Sequence, residues 1–535
     1  MPPKSTTAPQ AAAALKEAIL QGLASVSAPS ATAAKGRAAL MAYLQTSPGR
    51  IAKWFGGLIL VALLVAAAQL AVIEHIRDAV ETIGVSTKPS ITAAEKIAVT
   101  LADMDAAAIN DALTDGYTAA GASNDFRESA AEMSKLLTDA NRNITFDATE
   151  VPAIDTIQVK LGEYYQALGE VRGMAIDSPR TAEQRLKWAS RLNREFVAPA
   201  AARLEAANYQ PMVDTYNAYG RRYRLYGIAG IGAGLAIILA MASVQARLAR
   251  RTGRLLNVPL AVATGLMIAA QAFFGYAVIA EHRAIVTAKV DAFDSIASLY
   301  GAKVAAYRIN ADESLWLLDP STRAATAASF AEGARNVLTV PDESVAGLRA
   351  LSGQLDRALD TEEHGDAALA ATQTPSIGGF IGAEIDNITF GPAERRPATK
   401  MVEAFLRYRT IDTLIRKLEN AGYHAEAIAL DTGTRPGKPD WLGQDAGAAL
   451  DRAIAARDMT AINAVLAGAG QSDWAFAEFD NALEAALESN DSAFDAKIGF
   501  ALWLLTVMPW VAFASLALAA ALSGAGLWQR YQDYR

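Results

Sequence analysis

The chain of 535 residues has no cysteine. No disulfide can staple any part of it, and a structural zinc site has no thiolate to close it. Histidine is scarce too, and His75, His282, His364 and His424 never fall at metal-ligand spacing. No metal and no cofactor is therefore expected. Nucleotide motifs are missing as well. The run Gly433-Thr434-Arg435-Pro436-Gly437-Lys438 has the wrong spacing for a phosphate loop, with Pro439 where Ser or Thr belongs. Gly230-Ile231-Gly232-Ala233-Gly234 lies inside an apolar run, which excludes a dinucleotide fingerprint and favours small-residue helix packing, within the chain or between copies. No nucleophile, base and orienting acid stand out together, so an enzyme is not expected.

What the sequence does have is four long apolar runs: 54–73, 225–244, 255–280 and 498–522. Each has about the 20 residues that a helix needs to cross the hydrocarbon core, and none carries a polar face. Lys and Arg set the orientation. The leader 1–53 holds Lys4, Lys16, Lys35, Arg37, Arg50 and Lys53 against the single acid Glu17, and the loop 245–254 holds Arg247, Arg250, Arg251 and Arg254 with no acid. Both are expected in the cytoplasm, the four arginines facing lipid or a cytoplasmic partner, and so is the tail 523–535 with Trp528, Arg530, Tyr531 and Arg535. The reading is a multi-pass protein of the plasma (inner) membrane with both termini inside. The first run starts too late and is too long for a cleavable signal, so an uncleaved anchor is expected. No charged residue sits inside a span, which disfavours a transport pathway.

By this topology residues 74–224 and 281–497 lie outside the cytoplasm. They hold 22 acids against 17 bases and 33 against 20. Such a balance argues against nucleic acid and against strong docking on anionic lipid. Apolar positions in both follow a helical period, as in Ile154, Ile157, Leu161, Tyr165, Leu168 and Val171. Ser178-Pro179 opens a long helix with breaks or kinks expected at Pro199, Pro211 and Gly220. The stripe Phe476, Phe479, Leu483, Leu487, Phe494 and Ile498 runs from Ser472 into the fourth span, which Pro509 should kink. Gly- and Pro-rich residues 360–397 and 431–446 are expected to be loops or an elaboration of the second bundle, and 2–36 a flexible tail with one short helix near 12–23. The expected fold class is all-α: four transmembrane helices with two extracytoplasmic helical bundles in a tandem pseudo-repeat. An offset of 207 carries Glu74 onto Glu281 and Asp105 onto Asp312.

One polar constellation remains on the helices beyond the membrane: Asp103, Asp105, Asn110 and Asp111 in the first segment, Arg308, Asn310, Asp312, Glu313 and Trp316 in the second. Arg308 and Asp312 are spaced i,i+4, and Trp316 continues their face. A solvated face with a local ion pair is one reading. The other is a recognition patch for a small ligand or protein partner, with Asp105, Asn110, Arg308, Asp312, Glu313 and Trp316 as its residues.

The pattern Ala311-Asp312-Glu313-Ser314-Leu315, the run Phe196-Val197-Ala198-Pro199-Ala200-Ala201-Ala202-Arg203-Leu204, the segment Phe476-Ala477-Glu478-Phe479-Asp480-Asn481-Ala482-Leu483 and the closing Gln529-Arg530-Tyr531-Gln532-Asp533-Tyr534-Arg535 resemble the GlnX-type bacterial membrane proteins, which are best represented in actinobacteria. The resemblance covers most of the chain from the first span onward. Arg172-Gly173-Met174 departs from it, standing where an Asn-Arg-Gly-like turn would be expected. The resemblance implies four spans and a relay of amino-acid availability from an extracytoplasmic solute-binding protein to a cytoplasmic Ser/Thr protein kinase. From the residues alone, helical exterior domains wired into membrane helices point to a non-enzymatic sensor or signal relay, with membrane lipids, separate protein partners and a homo-oligomer as its company. An envelope scaffold is the alternative, and a transporter subunit a weaker one.

Overall fold

The computed structural model describes residues 46–144, 147–252, 257–388, 391–438 and 445–532. The tail 2–36 with its short helix, Arg254, and part of 431–446 lie outside them. The first segment contains α1 (Ser47–Glu81), α2 (Lys88–Asp115), α3 (Asn124–Arg142), α4 (Asp147–Met174), α5 (Pro179–Leu192) and α6 (Ala198–Thr252). The second contains α7 (Val258–Val286), α8 (Asp294–Leu318), α9 (Arg323–Val337), α10 (Val345–Glu363), α11 (Ala367–Gln373), α12 (Gly379–Asp386), α13 (Pro392–Asn420), α14 (His424–Asp431), α15 (Ala446–Ala456), α16 (Met459–Ala469) and α17 (Ser472–Gln532). Among the described residues no strand forms, and the one β contact is the isolated bridge between Thr339 and Gly378. The fold is all-α.

Two compact units form. One gathers the chain up to Ile73, Leu225–Ala277 and Thr506–Arg535; the other gathers Glu74–Arg224 and Val278–Leu505. Four helical stretches, Ala52–Asp115, Pro179–Arg250, Val258–Leu318 and Met459–Gln529, are long and apolar enough to cross a membrane. The first unit buries Leu58, Val65, Ile237, Met241, Leu260 and Met267 between its helices. Its periphery exposes Leu63, Leu64, Leu239, Trp510 and Phe513. Apolar side chains outside as well as inside are what lipid, and not water, solvates.

Inside this unit Gln69 donates to the Gln271 side chain at 2.6 Å, and a hydrogen bond satisfies both amides where water is missing. The glycine pattern resolves by position. A Cβ on Gly234 would collide with the Gln271 side chain and one on Gly230 with the Phe274 ring, whereas one on Gly232 meets nothing. The face of Gly230 and Gly234 is therefore spent within the chain, against α7. Gly234→Leu should lower the detergent unfolding temperature through overpacking of about 1–3 kcal/mol, and Gly232→Leu should leave it unchanged; thermal melts of the two variants check this.

The second unit packs α2 along α8. Ala106, Ile109 and Ala311 are buried in that contact beside Tyr307 and Leu315, and small side chains let the helices approach. The first segment's own core contains Met104, Leu137, Ile154, Ile157, Tyr164, Leu168 and Leu186. In the second segment Phe405, Tyr408, Phe476 and Phe479 form an aromatic chain with ring centroids 5.1 to 6.4 Å apart. All six residues of the stripe on α17 are buried.

Pro211 lies inside α6 and Pro509 inside α17, and neither interrupts its helix; Gly220 also lies within α6. The irregularities are π-helical turns at Thr82–Thr87, Asn193–Val197 and Thr287–Phe293. Two of them lie just before a proline, Pro89 and Pro199. A proline ring clashes with the carbonyl four residues back and offers it no N–H, and one widened turn absorbs both defects without ending the helix. Residues 360–397 are mostly the helices α11 and α12 with the ends of α10 and α13. Arg395 on α13 donates to Glu362 on α10 at 2.5 Å, both buried, so this region is an elaboration more than a loop.

Candidate functional site

The π turn Asn193–Val197 aims Arg194 at α2 and α8 together. Its Nε donates to Asp105 at 2.9 Å and its Nη1 to Asp312 at 2.6 Å. Ser190 on α5 also donates to Asp105, at 2.8 Å, and Asn193 anchors the turn by donating to the Leu101 carbonyl at 2.7 Å. Asp105 is 4% exposed and Asp312 1% exposed. Two carboxylates so buried need a cation, and Arg194 has a fork wide enough to serve both. The two aspartates separated by 207 in sequence thus meet on one guanidinium, which ties the first segment to the second. Burial tends to lower the Arg194 pKa, but the Asp105 and Asp312 charges outweigh it and raise it.

The other expected site residues divide. Asn110 donates to Asp473 across the segments at 3.5 Å. Glu313 is 1% exposed and accepts from the Ser472 hydroxyl at 2.9 Å. Burial, followed by the charges of Asp431 and Asp412, holds its carboxyl well above the usual range. Trp316 is clamped between the guanidinium groups of Arg323 and Arg416, each 4.7 Å from the ring centroid. Glu313 and Trp316 therefore belong to the interior of the second segment. Asp312 is held by Arg194, not by an i,i+4 bond to Arg308. The solvated-face reading fails for all four, because Asp105 and Asp312 are buried about Arg194, and Glu313 and Trp316 are buried against Ser472, Arg323 and Arg416 within the second segment.

Arg308 remains exposed, and it lines a groove of about 500 Å³ beside the clasp. Its lining includes Glu95 of α2, Glu205 of α6, Tyr300 and Asp312 of α8, Glu332 of α9 and Phe380 of α12. Between these the lining is small and apolar, as at Ala98, Ala202 and Ala305. Gly301 and Gly333 permit the close packing there, since a Cβ on the first would meet the Phe380 ring and one on the second Ile309. Glu95 is 3% exposed, and neither of its carboxyl oxygens has a hydrogen-bond partner in the protein. Burial first, and the Glu205 charge second, hold its carboxyl well above the ordinary range. Burial raises Glu205 as well.

Arg194 and Glu95 are not among the site residues expected from the sequence. The signal for Glu95 was legible: it sits four residues after Ile91 and three before Ala98, a carboxyl on the face that helical spacing marks as buried. Arg194 gave no such signal, because its two partners lie 89 and 118 residues away.

His282 sits in an aromatic cluster. Its Nδ1 is 3.2 Å from the Tyr219 hydroxyl, which donates to Glu281 at 3.0 Å, and the Tyr223 ring stacks on it at 3.7 Å. Among the described residues no three His, Asp or Glu are placed to hold a metal ion. Arg247 and Arg250 project exposed near the end of α6, the helix that also carries Arg251.

Residues 79–217 match the family model of an actinobacterial sensor domain. No curated protein and no solved structure matches. The matched stretch is about a quarter of the chain and includes Glu95, Asp105, Arg194 and Glu205, the first segment's share of the clasp and groove. With four helices fit to span a membrane, this supports a bacterial membrane protein with a sensor or signal-relay role.

Proposed function

We propose that the protein is a non-enzymatic transmembrane relay at the plasma membrane, with 74–224 and 281–497 outside and both termini in the cytoplasm. Binding outside would bias the packing of α2 against α8, and the long helices that continue into spans would carry the change to separate cytoplasmic partners. The observation that supports it most is Arg194 holding Asp105 and Asp312 at once, one side chain that bonds two segments of a sensor-like unit together. A two-state element needs such a contact, since a ligand shifts an equilibrium only by what it binds differently in the two states. The arginines 247, 250, 251 and 254 are the proposed inner contact, with lipid or protein. Following the GlnX resemblance, the proposed partners are an extracytoplasmic solute-binding protein and a cytoplasmic protein kinase.

Crosslinking in native membranes followed by mass spectrometry tests this. Recovery of an exterior binding protein together with a cytoplasmic kinase is the expected result. Recovery of only self and envelope contacts would replace the relay with a scaffold.

A further inference from the structure

We infer that the groove lined by Glu95 binds a small organic ammonium ion, its charged nitrogen on the Glu95 and Glu205 carboxyls and its carbon chain along the alanine-lined wall. The inference rests on the sensor reading and names the class of ligand sensed. Its basis is the Glu95 carboxyl itself. A carboxyl removed from water with no hydrogen-bond partner in the protein is costly to keep, and Glu95 is one of the residues that line the groove.

The surroundings fix the sign and kind of the ligand. Of the charged groups lining the groove, Glu95, Glu205, Asp312 and Glu332 are acids and Arg308 is the one base among the described residues. Arg194 brings one positive charge to both Asp105 and Asp312, so the clasp keeps a net negative charge, and Glu205 and Glu332 stand against one exposed guanidinium. An anion would meet net repulsion there. A bare metal ion is disfavoured by the donor set, because no three carboxylates are placed to chelate one. Tyr300, Phe380, Ala98, Ala202 and Ala305 in the lining offer what an alkylammonium uses and an inorganic ion does not: apolar surface for its chain. A volume of about 500 Å³ lies within the range of small-molecule sites.

The position also explains how occupancy would be read. Asp312 lines the groove and takes part in the clasp, so a cation bound beside it acts on the contact that holds α2 and α8 together. The titratable groups that line the groove with Glu95 are Glu205 of α6, Tyr300, Arg308 and Asp312 of α8 and Glu332 of α9. Burial and Glu205 keep Glu95 protonated above the ordinary carboxyl range, and an ammonium is held best by the carboxylate. Binding should therefore release a proton, and affinity should rise with pH.

The test is calorimetric titration of the full-length protein in detergent with n-butylammonium and 1,4-diammoniobutane, against n-butanol and butyrate. The expected result is binding of an ammonium probe, none of the alcohol or butyrate, a proton released on binding as read from buffers of different ionisation enthalpy, and at least a tenfold weaker Kd for Glu95→Gln. The amide is near-isosteric and uncharged, so it should not unfold the site, and Glu205→Gln gives a second reading if it does. Equal binding of alcohol or butyrate, no binding of either ammonium probe, or unchanged Kd in both variants would overturn the inference. Those results leave a kinase recovered by crosslinking untouched. Conversely, an ammonium bound as described with no cytoplasmic partner recovered would sink the relay and keep the ligand.

Discussion

Arg194→Ala should lower the unfolding temperature of the full-length protein by several degrees, the largest loss expected from any single polar substitution described above. The change strands two carboxylates, Asp105 and Asp312, that are 4% and 1% exposed. Removing one partner of a buried ion pair costs about 3–5 kcal/mol, mostly because the remaining charge has no water and no cation. Asp105 keeps the Ser190 hydroxyl, but no hydrogen bond other than that from Arg194 is described for Asp312. Arg194→Lys should recover only part of the loss, since a single ammonium cannot reproduce two bonds from one planar fork. The deciding comparison is the triple change Arg194→Ala with Asp105→Asn and Asp312→Asn. If the penalty comes from stranded charge, it should be more stable than Arg194→Ala alone. If it comes from lost packing, the triple change should be no better, and thermal melts of the four proteins distinguish the cases.

The second large effect is a decline in stability as pH rises from about 5 to about 8. Several carboxyls of the second unit are held above their ordinary range by burial: Asp103 to about 6, Asp473 to about 7, and Glu384 to about 7, the last with help from the Glu394 charge. Glu313 and Asp431 are pushed well up, each first by burial and then by an acidic neighbour. For such groups the folded state binds more protons than the unfolded one. Their contribution is fully present below the unfolded pKa near 4 and is lost as pH climbs through 6 and 7. Each such group costs on the order of 1 kcal/mol per pH unit within its window. The opposite sign holds for Asp319, whose carboxyl is driven down chiefly by bonds from Lys187, Ser321 and Thr322, and for Glu419, lowered by His424 and Arg323. Their stabilisation is present above pH 4 and fails below it. The melting temperature should peak near pH 5 and fall on both sides. Asp473→Asn and Glu313→Gln should flatten the alkaline side while leaving the acid side in place, and a flat profile from pH 5 to 8 in the unmodified protein would contradict the argument.

Both predictions rest on acids that the sequence placed on helices but not inside the protein. Asp105, Asp312, Glu313 and Trp316 were visible as a polar constellation, and a solvated face was a fair reading of it, since one helix considered alone has an outside. Packing removed that outside, with Arg194 between α2 and α8 for the two aspartates, and α9, α13 and α17 for Glu313 and Trp316. In place of the expected Arg308 to Asp312 bond, Asp312 accepts from Arg194, which a π turn distant in sequence carries to it. Glu95 was the more readable case, a carboxyl in register with Ile91 and Ala98, yet whether it faced a partner, a packed core or a groove depended on α6, α8, α9 and α12.

By itself the sequence determined what local chemistry and length can determine. Four uncharged runs of spanning length, a period of 3.6 throughout, and the buried stripe from Phe476 to Ile498 follow from the need to hide apolar surface and satisfy the backbone where water is absent. The absence of cysteine removed disulfides without any structure. Only the tertiary structure decided which of two faces a glycine serves, where a proline's defect is absorbed, and which acids lose their water. Those outcomes turn on distances between residues far apart in the chain, and a hydrogen bond or a buried charge is decided within a few ångströms.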